Sequence, residues 1–342
     1  MNAAFDKDKE IKQDCIKALE GYLKAKPGDR LWCFTDPARL WLAEGFCQAA
    51  QEMGCKASLF LFSTNPYEER DIKPLAGLLR ELSKDDIILA VFSEEIGKTL
   101  PYWRLFPTFK SPEGFSGRSG VVRPRWPGQT IGTALGTSPD AAMEATRNAL
   151  LLNDGLAGMK RGTPESKDTR RIRVTAPGGT DITFRPRGFK VLPFMVEGDQ
   201  RHAYLPPSEA YTGIVEGSAS GTVVVDVTVG EFVVKGEIID PLGLVDEPVT
   251  LEVRDGYVTS VSGGEMALRL QACFDRYDQD YRLVVELGVG LSDGDPTGFI
   301  SADECLRGTA HSGIGGDLFY GGSNKVPMHL DVVFKGAKIE LI

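Results

Sequence analysis

Two of the chain's three histidines fall near its C-terminal end in a frame suited to a cation: Gly308-Thr-Ala-His311, then Gly321-Gly-Ser-Asn-Lys-Val-Pro-Met-His329-Leu-Asp331-Val-Val-Phe334. In the second piece polar and apolar residues alternate. A strand there places Met328, Leu330, Val332 and Phe334 on one face and His329 with Asp331 on the other. An imidazole and a carboxylate side by side on an otherwise apolar strand are costly to bury unless something binds both, and a divalent cation does so.

Two glutamates join this set. Glu286 sits inside Leu283-Val-Val-Glu-Leu-Gly-Val-Gly-Leu291, where a carboxylate at the centre of an apolar strand needs a partner. Glu209 lies in Leu205-Pro-Pro-Ser-Glu209-Ala-Tyr-Thr-Gly-Ile-Val-Glu216, which reads as a rigid, proline-tethered loop. Taken singly, each residue has a plainer reading. Glu286 is then half of an ion pair with an arginine, His329 and Asp331 a hydrogen-bonded couple, and His311 a solvated histidine in a glycine-flanked loop. The third histidine, His202, has polar neighbours and reads as an exposed loop residue. Taken together, two histidines and three carboxylates form a hard nitrogen and oxygen ligand set, suited to zinc, manganese, cobalt or magnesium. With that many donors a pair of ions, typically ~3.5 to 4 Å apart, is a reasonable expectation, and such a pair suits hydrolysis.

The elements that must position these residues divide at about residue 161. Before it, helical and extended patterns alternate: a helix around Ile11 to Leu23, strands at Leu31 to Thr35, Ala57 to Phe62 and Asp86 to Ser93, and helices at about Ala38 to Met53 and Ile72 to Leu82. That order implies an α/β domain with a parallel sheet over residues 1–161. No G-x-G-x-x-G follows its first strand, so it reads as scaffold rather than a dinucleotide site. Residues 99–136 are rich in Pro, Gly and Arg and read as a long irregular excursion, and 160–169 as a linker. A helix begins after Ser138-Pro-Asp. From 170 to 342 short strands separated by glycine turns, with one helix at about Glu265 to Asp278, predict an α+β domain built on a mostly antiparallel or barrel-like sheet. This is the expected metal-binding catalytic domain.

Composition bounds the partners. The chain has 342 residues and a net charge of -9, without a basic cluster, which argues against nucleic acid or an anionic membrane surface as partner. No apolar run approaches the ~20 residues of a bilayer-spanning helix, and a charged N-terminal stretch leaves the cytoplasm as the expected location. The six cysteines show no C-x-x-C pair and read as small buried hydrophobes.

The stretches LPPSEAYTGIVEGSASGTVVVD, VVELGVG, GTAHSGIG and GGSNKVPMHLDVVF together resemble the aminopeptidase T and aminopeptidase S family of metallopeptidases, and VTAPGGTDITF resembles its domain opening. The resemblance implies a homodimer and two divalent ions held by Glu209, Glu286, His311, His329, Asp331 and a tyrosine. That tyrosine follows the first histidine by seven residues in the family. Here Leu318 stands at that spacing, and the nearest tyrosine is Tyr320. The implied reaction is cleavage of an amide or peptide bond by metal-activated water in a small molecule or short peptide. Glu209 or Glu216 would relay the proton, while Lys325 and Asn324 would hold a substrate carboxylate or developing oxyanion. The dihydroxypyridine ring-cleaving dioxygenases form a neighbouring branch sharing the GG-x-x-K-x-P-x-H-L-D pattern. Their likeness implies instead a single Fe(II) and a pyridine-like heterocyclic substrate. Where that branch places another histidine this chain has Glu286, and where it carries apolar residues this chain has Glu209 and His311, so the ligand set favours the hydrolase.

Overall fold

Parallel pairing of short apolar segments builds the first part of the molecule. The computed structural model describes residues 2–62, 82–94, 117–128, 130–155 and 170–342, and the expected helix at 72–82 and linker at 160–169 lie essentially outside them. The chain divides into two compact units, Met1–Ala142 with Leu192–Ser208, and Met143–Val191 with Glu209–Ile342.

In the first unit, helix α1 (Asn2–Gly21) precedes β1 (Arg30–Thr35), α2 (Leu40–Glu52), β2 (Lys56–Leu61), β3 (Asp86–Val91) and β4 (Arg118–Val122). The sheet runs β2-β1-β3-β4 and is completed by a fifth strand, His202–Leu205, parallel to β4. β3 is buried along its whole length, as expected for a central parallel strand. One face packs Phe34, Ile88, Ala90, Phe92 and Val121 together. On the helical side Gly120 lets Leu23 and Leu89 close in, since a Cβ there would lie 3.0 Å from both.

Two features depart from the sequence reading. The irregular excursion contains a fully buried strand, β4, and a short helix, Ile131–Leu135. The chain also returns to this sheet at 202–205, a return that a single division near 161–170 does not register. His202 is therefore not a solvated loop histidine: it is 3% exposed, with Nδ1 2.9 Å from Ser119 Oγ on the neighbouring strand.

The second unit is antiparallel. After the helix Pro139–Gly155 come β5 (Ile172–Thr175), β6 (Asp181–Phe184), β7 (Lys190–Val191) and, counting 202–205 as β8, β9 (Glu209–Gly213) and β10 (Ser220–Val225). Four short strands follow, β11 (Thr228–Val229), β12 (Phe232–Val234), β13 (Glu237–Asp240) and β14 (Gly243–Leu244). Then come β15 (Val249–Arg254), β16 (Tyr257–Ser262), β17 (Val284–Gly290), β18 (Thr309–Gly315), β19 (His329–Lys335) and β20 (Lys338–Leu341). One sheet has the order β16-β15-β10-β6-β5-β20, the other β14-β11-β19-β18-β17-β9-β7. Period-2 alternation joins them through one core. Ile172, Val174, Phe184, Val223 and Leu251 of the first sheet belong to the same buried cluster as Leu287, Ile314, Leu330, Val332 and Phe334 of the second. Each such side chain contributes roughly 1.5–3 kcal/mol when fully buried. The expected fold class, parallel α/β followed by mostly antiparallel α+β, is the one observed.

Candidate metal centre

Alternation that feeds the core with apolar residues leaves the other face of four neighbouring strands to a different set. β9 presents Glu209, Tyr211 and Gly213, β17 presents Glu286, Gly288 and Gly290, β18 presents His311, Gly313 and Gly315, and β19 presents His329 and Asp331. The register aligns them: Tyr211 pairs with Gly288 and Gly288 with His311, Gly213 with Glu286 and Glu286 with Gly313, Gly313 with Asp331 and Gly315 with His329. Glycine and ligand thus alternate across the sheet. A Cβ at Gly313 would stand 2.7 Å from the His329 ring and 2.8 Å from Glu286, and one at Gly288 would stand 2.1 Å from the His311 ring. The glycines make the space that the ligands fill.

Two of these strands were not expected. Glu209 opens β9 rather than sitting in a proline-tethered loop, and His311 lies at the centre of β18 rather than in a glycine-flanked loop, 1% exposed. Both segments are rich in Gly, Ser, Thr and Ala, and both are held as strands by pairing on either side.

The side chains converge. His311 Nε2 is 2.9 Å from Glu209 Oε2 and 4.0 Å from Glu286 Oε1. His329 Nε2 is 3.0 Å from Glu286 Oε2 and 3.1 Å from Asp331 Oδ1. Glu286 therefore turns one oxygen toward each imidazole. Among the described residues, two groups of possible ligand atoms lie within 4.8 Å of one another, Glu209 with Glu286 and His311, and Glu286 with His329 and Asp331. Tyr320, two positions beyond the family spacing, still reaches the second group: its hydroxyl donates to Glu286 Oε2 at 2.5 Å and lies 3.3 Å from His329 Nε2.

The electrostatics suit a cation. His311 Nδ1–H donates to the Glu304 carbonyl at 3.2 Å, which directs Nε2 at the carboxylates. Glu209 Oε2 is buried, with His311 Nε2 against it at 2.9 Å. Burial opposes charge on His311, yet the Glu209 charge and contact, with Asp331 and Glu286 beyond, push its pKa up to about 10. His329 behaves alike: desolvation is outweighed by Asp331 and Glu286, which hold it well above the ordinary histidine range. Burial pushes the Asp331 carboxyl up, but His329 brings it net below its usual value, whereas burial leaves the Glu286 carboxyl raised. Positive charge is thus favoured at two places where burial alone would forbid it. Clustered imidazole, carboxylate and phenol groups of this kind fit a hard divalent cation.

Three other sequence candidates sit outside these groups. Glu216 accepts hydrogen bonds from the Ser323 backbone N–H and hydroxyl, and so fastens the glycine-rich loop. Asn324 uses its amide to donate to the Asp280 and Gly315 carbonyls, at 2.7 and 2.9 Å, which makes it a loop brace rather than a substrate clamp. Lys325 is exposed on the same loop. Sequence reasoning missed Tyr211, which stands on the ligand face opposite Gly288, 7% exposed. Its place in the same proline-led stretch as Glu209, at the strand spacing of two, was the available signal.

Residues 157–341 match the family model described as NicX: 2,5-dihydroxypyridine 5,6-dioxygenase. The chain belongs to this family. Among solved structures, it is similar to the 2,5-dihydroxypyridine dioxygenase of Pseudomonas putida KT2440, at 16% identity and a TM-score of 0.55, over 97% of this chain and 94% of that one. It is similar also to AmpT of Thermus thermophilus, at 13% identity and a TM-score of 0.54, over 98% and 95% of the two chains. At these identities the two likenesses show a shared two-domain fold. No curated protein matches the chain. The family and the ligand groups together indicate a metal-dependent enzyme.

Proposed function

We propose that this protein is a metal-dependent oxygenase that opens the ring of a small hydroxylated, pyridine-like heterocycle. One observation carries the reading: the family match, to a 2,5-dihydroxypyridine 5,6-dioxygenase, spans all six candidate ligands, Glu209, Glu286, His311, Tyr320, His329 and Asp331. Glu286, His329 and Asp331 would hold a single Fe(II), with Glu286 supplying a carboxylate. Such an ion supplies Lewis acidity toward a ring hydroxyl and electrons toward dioxygen.

The chain's own residues do the rest. Burial first, then the charges of Glu286 and Asp331, push the Tyr320 phenol far above its ordinary pKa, so it stays a neutral donor that fixes the Glu286 carboxylate. Glu209, on the same strand face as the candidate ligands, would take the proton of a substrate hydroxyl. The Gly288 and Gly313 positions keep backbone, rather than side chain, beneath the reacting space.

A second reading rests on a different observation. Glu286 is shared between two ligand groups, the arrangement two cations need, and a pair of ions suits hydrolysis of an amide. Purified protein loaded anaerobically with Fe(II) and given 2,5-dihydroxypyridine and air tests the choice. The oxygenase reading expects stoichiometric oxygen uptake and one iron per chain. Two zinc, cobalt or manganese ions per chain, with turnover of amino-acid amides and no oxygen uptake, would replace it with the hydrolase.

A further inference from the structure

Beside the ligand groups stands a cluster of rings that the metal chemistry does not use. Tyr211, Phe319 and Tyr320 touch one another, with centroids 6.0 Å apart for Tyr211 and Phe319, 5.9 Å for Tyr211 and Tyr320, and 5.2 Å for Phe319 and Tyr320. Tyr320 is already engaged with Glu286. The other two differ from it and from each other. Phe319 is 72% exposed, at the tip of the short turn Leu318–Tyr320, so a whole phenyl face is offered to solvent beside the candidate centre. Tyr211 is nine-tenths buried, and its hydroxyl makes no hydrogen bond to another described residue. The ring is packed while the hydroxyl is left free to meet a ligand. Its strand position, across Gly288 from His311 and two residues from Glu209, places it on the ligand face.

We infer that Tyr211 and Phe319 select the substrate: Phe319 takes the face of a planar aromatic ring, and the Tyr211 hydroxyl donates a hydrogen bond to an oxygen substituent on that ring. An aromatic face offset on phenyl is favourable in itself, and the donor rewards a hydroxyl or oxo group that a bare ring lacks. Tyr211 is thus a specificity-determining residue and Phe319 a positioning surface. This inference rests on the ring-directed reading above, and the two are separable by experiment.

Binding is measured anaerobically on the Fe(II)-loaded full chain, with 2,5-dihydroxypyridine and unsubstituted pyridine as probes, for the wild type, Tyr211→Phe and Phe319→Ala. Iron content and thermal melting are followed in each, so that a misfolded variant is recognised. The expected result is about a tenfold loss of dihydroxypyridine affinity in Tyr211→Phe with pyridine affinity unchanged, and a comparable loss for both probes in Phe319→Ala. If Phe319→Ala fails to fold, Phe319→Leu replaces it, keeping the bulk and removing the flat face. Wild-type binding of dihydroxypyridine that both variants match overturns the inference and leaves the ring-directed reading standing. Absence of ring binding by the iron-loaded wild type overturns both.

Discussion

Carboxylates inside the two units show how the same physical problem is answered differently. In the parallel unit Asp36 is 0% exposed, and its oxygens accept from the backbone N–H groups of Ala38, Arg39 and Ser93 and from the Ser93 hydroxyl. Asp86 likewise takes donors from Trp32, Arg30 and Ser83, and Asp29 takes Arg118 at 2.8 Å. In the antiparallel unit a buried Glu209 oxygen faces only an imidazole among the contacts described, and Glu286 shares its oxygens between two imidazoles and a phenol. The scaffold satisfies its charges with protein donors. The candidate centre instead sets its carboxylates against imidazoles whose pKa values they raise, so the charge that answers them sits on groups that can also bind a cation.

Breaking the centre should have the largest effect. Glu286→Gln keeps the volume and removes the charge both ligand groups share, so bound metal should be lost. Activity should fall by more than the roughly 100-fold that loss of an outer partner costs. Elemental analysis and turnover check it, and a variant that retains full metal would show that Glu286 is not a ligand. The glycine pair sharpens the picture. Gly313→Ala drives a methyl into His329 and Glu286 and should abolish binding at the second group, whereas Gly288→Ala strikes the His311 ring and spares Asp331 and His329. With one iron at Glu286, His329 and Asp331, metal content survives Gly288→Ala. With two ions it falls by half.

The scaffold should respond in the opposite way. Asp36→Ala strands buried donors from Ala38, Arg39 and Ser93 and should destabilise the protein by about 2–4 kcal/mol, while metal content stays at the wild-type value. Chemical denaturation read beside elemental analysis separates the two. Loss of metal in the folded Asp36 variant would mean that scaffold and centre are not independent.

What was legible in the sequence follows from the same contrast. His329 and Asp331 showed themselves because an apolar strand advertises its face, and β1, β2, β3 and β17 were legible for the same reason. β9 and β18 were not, although they carry Glu209, Tyr211 and His311. Their glycines leave room for the Glu286 and His329 side chains, and locally a composition of glycine, serine and threonine is indistinguishable from a loop. Pairing on both sides, which no local pattern reports, makes them strands. β4 was hidden in the same way inside a glycine- and arginine-rich stretch, and with it the burial of His202. Tyr320 could be named only as the nearest tyrosine, because the turn that swings its hydroxyl to Glu286 is a matter of geometry rather than spacing.

The smallest effect lies in the loop that carries Tyr320. Asp317 is 0% exposed beneath Gly322, its Oδ1 accepting from the Asn324 N–H at 2.7 Å. Burial first, then the neighbouring Glu216 carboxylate, push its pKa up to about 6. The folded value lies above that of an unfolded aspartate. The unfolded chain therefore releases this proton at lower pH, and stability is lost as pH rises from about 4 through 6. Asp317→Asn removes the titration while retaining an acceptor for Asn324. It should leave Tm near the wild-type value at pH 4 and raise it by about 2–4 °C at pH 7. A variant less stable than the wild type at pH 7 would mean that the Asp317 charge is welcome there, and that the loop is held by an ionised pair of carboxylates rather than by one that keeps its proton.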